Sequence, residues 1–242
     1  MIIAIHQPNY LPYAGFFQKL ARCDRFVLLD DAQYTRNGFI NRNRIKTPTG
    51  PQWLTIPVHV RGLESRIRDV AVDPEAIWVA KHRKTLRANY ARAPFFDEVM
   101  RAVIDPVLGE AGPHWHDLAA LNAELIRRIC AYVGLATPLV RASEYGVTTV
   151  STQRLVDLVR AAGGDAYLSG EGGPRYQDPA VFRAAGIHLI RLSCEPPVYP
   201  QLWGPFVPRL SVIDLLFNAG AEAGRWLRSP ARTQAIPAPA SV

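Results

Sequence analysis

Short apolar runs that stop abruptly at polar residues recur along this chain. Ile2-Ile3-Ala4-Ile5 is the first, too short for a helix and continuous enough for a strand buried on both faces. His6, Gln7, Asn9 and Tyr10 follow at once, with Pro8 and Pro12 stiffening the turn, and Tyr13, Phe16, Phe17 and Leu20 then repeat at helical spacing. Arg25 to Leu29 repeats the pattern and ends in Asp30-Asp31. Leu139 to Ser143, Ala166 to Gly170 and Gly186 to Leu192 are further short strands, separated by helices that open at Ser151 and Asp178. Strands alternating with helices predict an α/β fold, a Rossmann-like and mostly parallel sheet. In such a sheet, ligands sit outside the carboxyl ends of the strands, which is where the polar clusters fall.

Three stretches depart from this alternation. From Phe39 to Lys46, Phe39, Asn41, Asn43 and Ile45 alternate with Ile40, Arg42, Arg44 and Lys46, so neither face is uniformly apolar. With a Pro48-Thr49-Gly50-Pro51 turn and a second strand from Trp53 to Val58, this predicts a β-hairpin beside the pocket mouth. Residues 64–134 read as a helical insertion: one helix opened by Asp73-Pro74-Glu75, one near 95–109, and one from about His116 to Val133. Beyond Cys194 an irregular arm leads to a closing helix capped by Ser211, with Val212, Leu215 and Leu216 inward and Asp214 and Asn218 on the polar side. The expectation is one catalytic domain over 1–228 and a disordered Ala/Pro-rich tail over 229–242.

Composition narrows the class. At 242 residues, 48% hydrophobic and 20% charged, the chain can bury a full core. The first apolar run is far shorter than a membrane span and lacks the basic flank and cleavage site of a signal peptide, which predicts a cytoplasmic protein. Cys23, Cys130 and Cys194 are odd in number and widely spaced, unlike a disulfide framework or a structural zinc site. A formal charge of +7 favours encounters with anionic partners without identifying them.

The candidate chemistry is concentrated at the strand ends. His6 has the residue type of a general base, and Asp30 or Asp31 could orient it, bind a substrate amine or hold a metal; the competing readings are a histidine satisfying a backbone carbonyl and acids that cap a helix or turn. Gln7, Asn9, Tyr10, Gln33, Asn41, Arg42, Asn43 and Lys46 offer hydrogen bonds to carboxylate, phosphate or sugar oxygens. Ser169-Gly170-Glu171-Gly172-Gly173, with Tyr176 beyond, frees backbone amides to approach a phosphate or oxyanion, although it matches neither the phosphate-loop nor the dinucleotide fingerprint. Tyr199 and Gln201 on the arm complete the expected binding set. His114-Trp115-His116-Asp117 has too few companions for a metal site, so helix capping is the better reading, and no metal or cofactor is expected.

His6-Gln7-Pro8-Asn9-Tyr10-Leu11-Pro12, Asp30-Asp31-Ala32-Gln33, Asn41 to Lys46, Trp53 to Pro57, Tyr167 to Gly170, Tyr199-Pro200-Gln201 and Leu210 to Asn218 together resemble the WbqC-like family, over nearly the whole chain. The resemblance implies transfer of glycine or a similar aminoacyl group to an amino sugar in O-antigen, polysaccharide or natural-product assembly. The expected substrate is therefore a small-molecule amine, acylated from a thioester or aminoacyl ester presented by an acyl-carrier protein or an aminoacyl-tRNA. A HUP-like nucleotidyltransferase, a hydrolase of acyl-carrier thioesters and a non-enzymatic sugar- or carrier-binding protein are the rival expectations.

Overall fold

The computed structural model describes residues 1–74, 77–109, 115–229 and 232–236. Its elements, in chain order, are β1 (Ile2–His6), α1 (Ala14–Leu20), β2 (Arg25–Leu28), the hairpin β3 (Arg42–Thr47) and β4 (Gly50–Thr55), and the short strands β5 (Val58–His59) and β6 (Ala71–Val72). Helices follow: α2 (Ile77–Tyr90), α3 (Phe96–Val99), α4 (Asp105–Leu108) and α5 (Leu118–Tyr132). The alternation then resumes with β7 (Leu139–Arg141), α6 (Ser151–Ala161), β8 (Ala166–Ser169), α7 (Pro179–Ala184) and β9 (His188–Ser193), and ends with α8 (Val212–Ala219), α9 (Ala223–Arg228) and β10 (Arg232–Ala235).

Six strands form one sheet in the order β10-β9-β8-β1-β2-β7. All neighbours pair in parallel except β9 and β10. The chain therefore builds outward from β1 through β2 to β7, then returns to the other side of β1 and builds outward again through β8 and β9. Main-chain paths diverge between β1 and β8, which opens a crevice at their carboxyl ends. The alternation of side chains divides the core in two. Ile3 and Ile5 face a cluster with Leu155, Leu158 and Val159 of α6 and Phe182 of α7, while Ala4, Phe26 and Leu28 face Phe16, Phe17 and the residues of α5 and α8.

Several expectations change on contact with the fold. The helix read over 95–109 is broken: α3 gives way to a wider π-helical turn over Met100–Ile104 before α4. Pro106 supplies the reason, since it has no N–H to donate and its ring crowds the carbonyl four residues back. Asp214 lies inside, fully buried, rather than on a polar face. Part of the expected disordered tail is ordered, because Arg232–Ala235 pairs with the edge of β9. All four of those side chains are exposed, so backbone hydrogen bonding holds them, and the next residue, Ile236, packs against the cluster around Ile3 and Ile5. Glu75 of the expected helix start, His114 and the rest of the tail lie outside the described residues.

Candidate functional site

The turn after β1 is held by other parts of the chain. Asn122 of α5, fully buried, donates from Nδ2 to the Pro8 carbonyl at 2.8 Å and the Ile40 carbonyl at 2.7 Å. Leu11 has φ of 40°, a left-handed conformation unfavourable for a residue with a Cβ. Its carbonyl accepts from Asn43 Nδ2 and Ser211 Oγ, both at 2.7 Å, and the Val212 amide bonds Pro12 O at 2.8 Å. These bonds from β3, α5 and the start of α8 hold the turn in place and with it the side chains at the end of β1.

A cavity of about 870 Å3 opens at the carboxyl ends of β1 and β8. His6, Gln7, Asn9, Tyr13 and Lys19 of the first strand-helix unit form one wall, Gly170 to Gly173 with Arg175 and Tyr176 the opposite wall, and Cys194, Tyr199, Phe206 and Arg209 of the arm the roof; Arg44 of β3 reaches it from the side. His6 Nδ1 lies 3.0 Å from the Gln7 carbonyl, which can only accept, so Nδ1 carries the proton and the lone pair is on Nε2. Nε2 has no partner among the described residues. The ring packs edge-on against Phe16, with centroids 5.0 Å apart. Burial and the adjacent Lys19 charge push the imidazolium down to about 4, only partly offset by the Gln7 carbonyl, so His6 is neutral at pH 7.

Lys19 was not anticipated as a site residue. It is 5% exposed and lines the cavity, and its ammonium donates to the Ile5 carbonyl at 2.8 Å. It lies 5.7 Å from the centre of the Tyr167 ring and forms no ion pair among the described residues. Burial lowers it to about 8. Its signal in the sequence is only that a lysine falls on the otherwise buried run Phe16 to Leu20 of α1.

Residues 7–226 match the WbqC-like protein family. The chain belongs to that family. It is also 38% identical over 228 residues, 93% of this chain and 97% of the relative, to the uncharacterized protein Rv1507c of Mycobacterium tuberculosis (strain ATCC 25618 / H37Rv). No solved structure matches it.

In this member of the WbqC-like family, only some of the polar residues expected at the site meet in the cavity. His6, Gln7, Asn9, Gly170, Tyr176 and Tyr199 line it. Asp30 and Asp31 do not orient His6. The Asp30 carboxylate accepts from the Ser143 amide at 3.0 Å and the Ser143 hydroxyl at 2.7 Å, and Asp31 pairs with Arg154 at 2.5 Å, so both tie the end of β2 to neighbouring segments. Tyr10 is buried and its hydroxyl lies 3.1 Å from His82 Nδ1; because His82 Nε2 faces the Thr55 carbonyl at 3.0 Å, Nε2 holds the proton and Tyr10 donates to Nδ1. Gln33 donates to Leu63 O, and Asn41 to Ile56 O.

The hairpin is structural for the most part. Asn43 serves the turn as described, Arg42 lies 4.2 Å over the Trp53 ring, and Lys46, 2% exposed, donates to Gln201 Oε1 at 3.0 Å and Pro205 O at 2.7 Å. Lys46 and Gln201 thus fasten the arm over the cavity from behind. Ser169 is buried and donates to Gln177 Oε1 at 2.7 Å. Among the hairpin's described basic residues, Arg44 lines the cavity, and its place in the alternation of Ile40, Arg42, Arg44 and Lys46 does not distinguish it from its neighbours. Tyr199 donates to the buried Asp214 carboxylate at 3.1 Å, and Tyr90 donates to it at 3.0 Å. Burial dominates those bonds and pushes Asp214 up to about 6. Burial also raises the thiols of Cys194, Cys23 and Cys130, which disfavours each as a ready nucleophile. Asp117 caps α5, accepting from Ala119 and Ala120, as its place in the His-Trp-His-Asp run anticipates. No group of three metal-ligating side chains and no helix long and apolar enough to cross a membrane occurs among the described residues.

Proposed function

We propose that this protein is a cytoplasmic acyl- or aminoacyltransferase that works in the crevice between β1 and β8, forming an amide on a small-molecule amine such as an amino sugar. One observation carries the reading: His6, neutral and with an unpartnered Nε2, lines the same cavity as the glycine-rich loop after β8. The amine nitrogen attacks the carbonyl carbon of a thioester or aminoacyl ester. His6 Nε2 accepts the proton released from that nitrogen, and the thiol or alcohol departs with the electron pair of the broken bond and a proton. The depressed basicity of His6 keeps its lone pair available at pH 7. Gln7 and Asn9 hold the acceptor, and Tyr176 and Tyr199 supply aromatic walls. An activated donor on a carrier protein or tRNA would give the reaction its driving force, consistent with O-antigen or natural-product assembly.

Mass spectrometry of mixtures containing an acyl thioester or aminoacyl ester and an amino sugar tests the reading. Amide should form with the parent protein and fall by about 100-fold or more in His6→Ala. Undiminished transfer in that variant removes His6 as the base, and free acid released at the same rate with or without amine identifies a thioester hydrolase instead. A nucleotidyltransferase is the second reading, favoured by the strand order: apart from β10, the five parallel strands follow the Rossmann-like order three-two-one-four-five, with the cavity at the point of reversal. Thermal stabilisation by ATP or CTP together with nucleotide transfer, in place of amide formation, would establish it.

A further inference from the structure

The cavity has unmatched donors on two facing walls. Lys19 Nζ has three N–H groups, and among the described residues it has one acceptor, the Ile5 carbonyl, and no ion pair, although it is buried. Its side chain passes beside Gly170: a Cβ at Gly170 would lie 4.0 Å from Lys19 Cδ. The amides of Gly170, Glu171 and Gly172 form no hydrogen bond among the described residues, whereas those of Gly173, Arg175 and Tyr176 are all taken up within the following turn. The Gln7 amide, just beyond the end of β1, is likewise unbonded. A Cβ at Gly173 would collide with Ser169 Oγ at 2.0 Å, so only glycine lets this loop close down on the strand end. Arg44 and Arg175 add positive charge along the same cavity.

A buried ammonium with no carboxylate is unfavourable unless a ligand supplies the counter-charge. Resting on the reading of this cleft as the active site, we infer that Lys19 and the Gly170–Gly172 amides form a subsite for the phosphate group of the donor or of a substrate. Consecutive free amides beside a lysine suit a phosphate, whose terminal oxygens accept from several directions at once. The same chemistry occurs in a nucleotide and in a phosphopantetheine arm, and the cavity of about 870 Å3 has room for either beyond the phosphate.

Binding by the full chain, without amine or turnover, tests this independently of transfer. Inorganic phosphate, ADP and 4′-phosphopantetheine are titrated by calorimetry against acetate, adenosine and pantetheine, on the parent protein and on Lys19→Met. At least one phosphorylated compound should bind while its unphosphorylated counterpart does not, and K19M should weaken it by about tenfold or more. ADP binding favours the nucleotide source and 4′-phosphopantetheine binding the carrier arm; either supports the subsite. Met fills the space of the lysine stem without a charge to bury, so K19M should unfold no more readily than the parent, and a thermal melt checks that it is folded. Lys19→Arg, tested alongside, should retain part of the affinity. Phosphate affinity that survives K19M belongs to the exposed basic surface and overturns the assignment, as does the absence of binding by all three phosphorylated compounds. Should amide formation fail while phosphate binding obeys this pattern, the transferase reading falls and the subsite stands.

Discussion

Replacing Asn122 by leucine should be among the most damaging single changes outside the cavity. The amide reaches the Pro8 and Ile40 carbonyls at 2.8 and 2.7 Å, and it is fully buried, so neither carbonyl gains water when the amide goes. Leucine is close in size and excludes solvent from the gap. Each buried carbonyl left without a donor costs about 1–3 kcal/mol, giving a gross loss of about 2–6 kcal/mol. Asn122 Oδ1 is itself buried without a partner, so its removal returns about 1–2 kcal/mol. The net expectation is about 1–4 kcal/mol, a large part of the roughly 5–15 kcal/mol that holds a typical protein folded. Urea titration followed by tryptophan fluorescence should show a lower midpoint with an unchanged slope, and Tm should fall by about 2–16 °C. Hydrogen exchange should accelerate at the Tyr10 amide, which bonds Phe39 O at 3.0 Å, and at the Val212 amide, which bonds Pro12 O at 2.8 Å, because Asn122 holds the turn between them. A loss under 1 kcal/mol, with exchange unaltered, would mean that the other bonds to this turn suffice without Asn122.

Gly173→Ala places a Cβ 2.0 Å from Ser169 Oγ and 2.4 Å from Gln177 Oε1, and should destabilise by about 1–3 kcal/mol, whereas Gly172→Ala, with no atom within 4 Å, should be nearly neutral; equal melting temperatures would refute the steric account. Stability should also fall as pH is lowered from about 6.5 towards 4, because burial depresses both His6 and His82 from 6.5 to about 4, so their contribution is full above 6.5 and lost as the pH falls through the folded values. Asp214 opposes this trend: raised from 3.8 to about 6, it favours the folded state below about 4 and loses that contribution by about 6. Each shift is worth about 3 kcal/mol, so the two histidines outweigh the aspartate, with the share of His6 reduced by the open cavity beside it. Asp214→Asn should therefore steepen the acid-side decline, measured as the change in urea midpoint between pH 6.5 and 4.5, and a shallower decline in that variant would reverse the assignment.

The legibility of this chain differs between strand ends and side-chain roles. The continuous run at Ile2–Ile5 and its successors are short, apolar and punctuated by polar residues, so their identity as parallel strands follows from local pattern alone. His6 could be placed at a strand end for the same reason. The role of Asp30 and Asp31 could not, because adjacent acids at a strand end read alike whether they face a cavity or, as here, Ser143 and Arg154. Asn41, Asn43 and Lys46 looked like ligand contacts because they are polar in a strand without an apolar face. They are polar because the turn, the second hairpin strand and the arm present buried carbonyls and an amide oxygen that must be paired. Asp214 misled in the opposite sense, since a helical wheel cannot reveal that Tyr90 and Tyr199 wait on the buried side.

Sequence by itself determined the alternation of strands and helices, the family, and the polar clustering at the carboxyl ends of the strands, since each is written in neighbouring residues. Tertiary structure alone decided that β1 lies between β2 and β8, that Lys19 faces Gly170 across the crevice, and that most of the amides and guanidiniums bond to the protein instead of lining the cavity. Those outcomes depend on which distant backbone groups need partners once water is excluded, and no local pattern records where a segment more than a hundred residues away will leave a carbonyl or an ammonium unpaired.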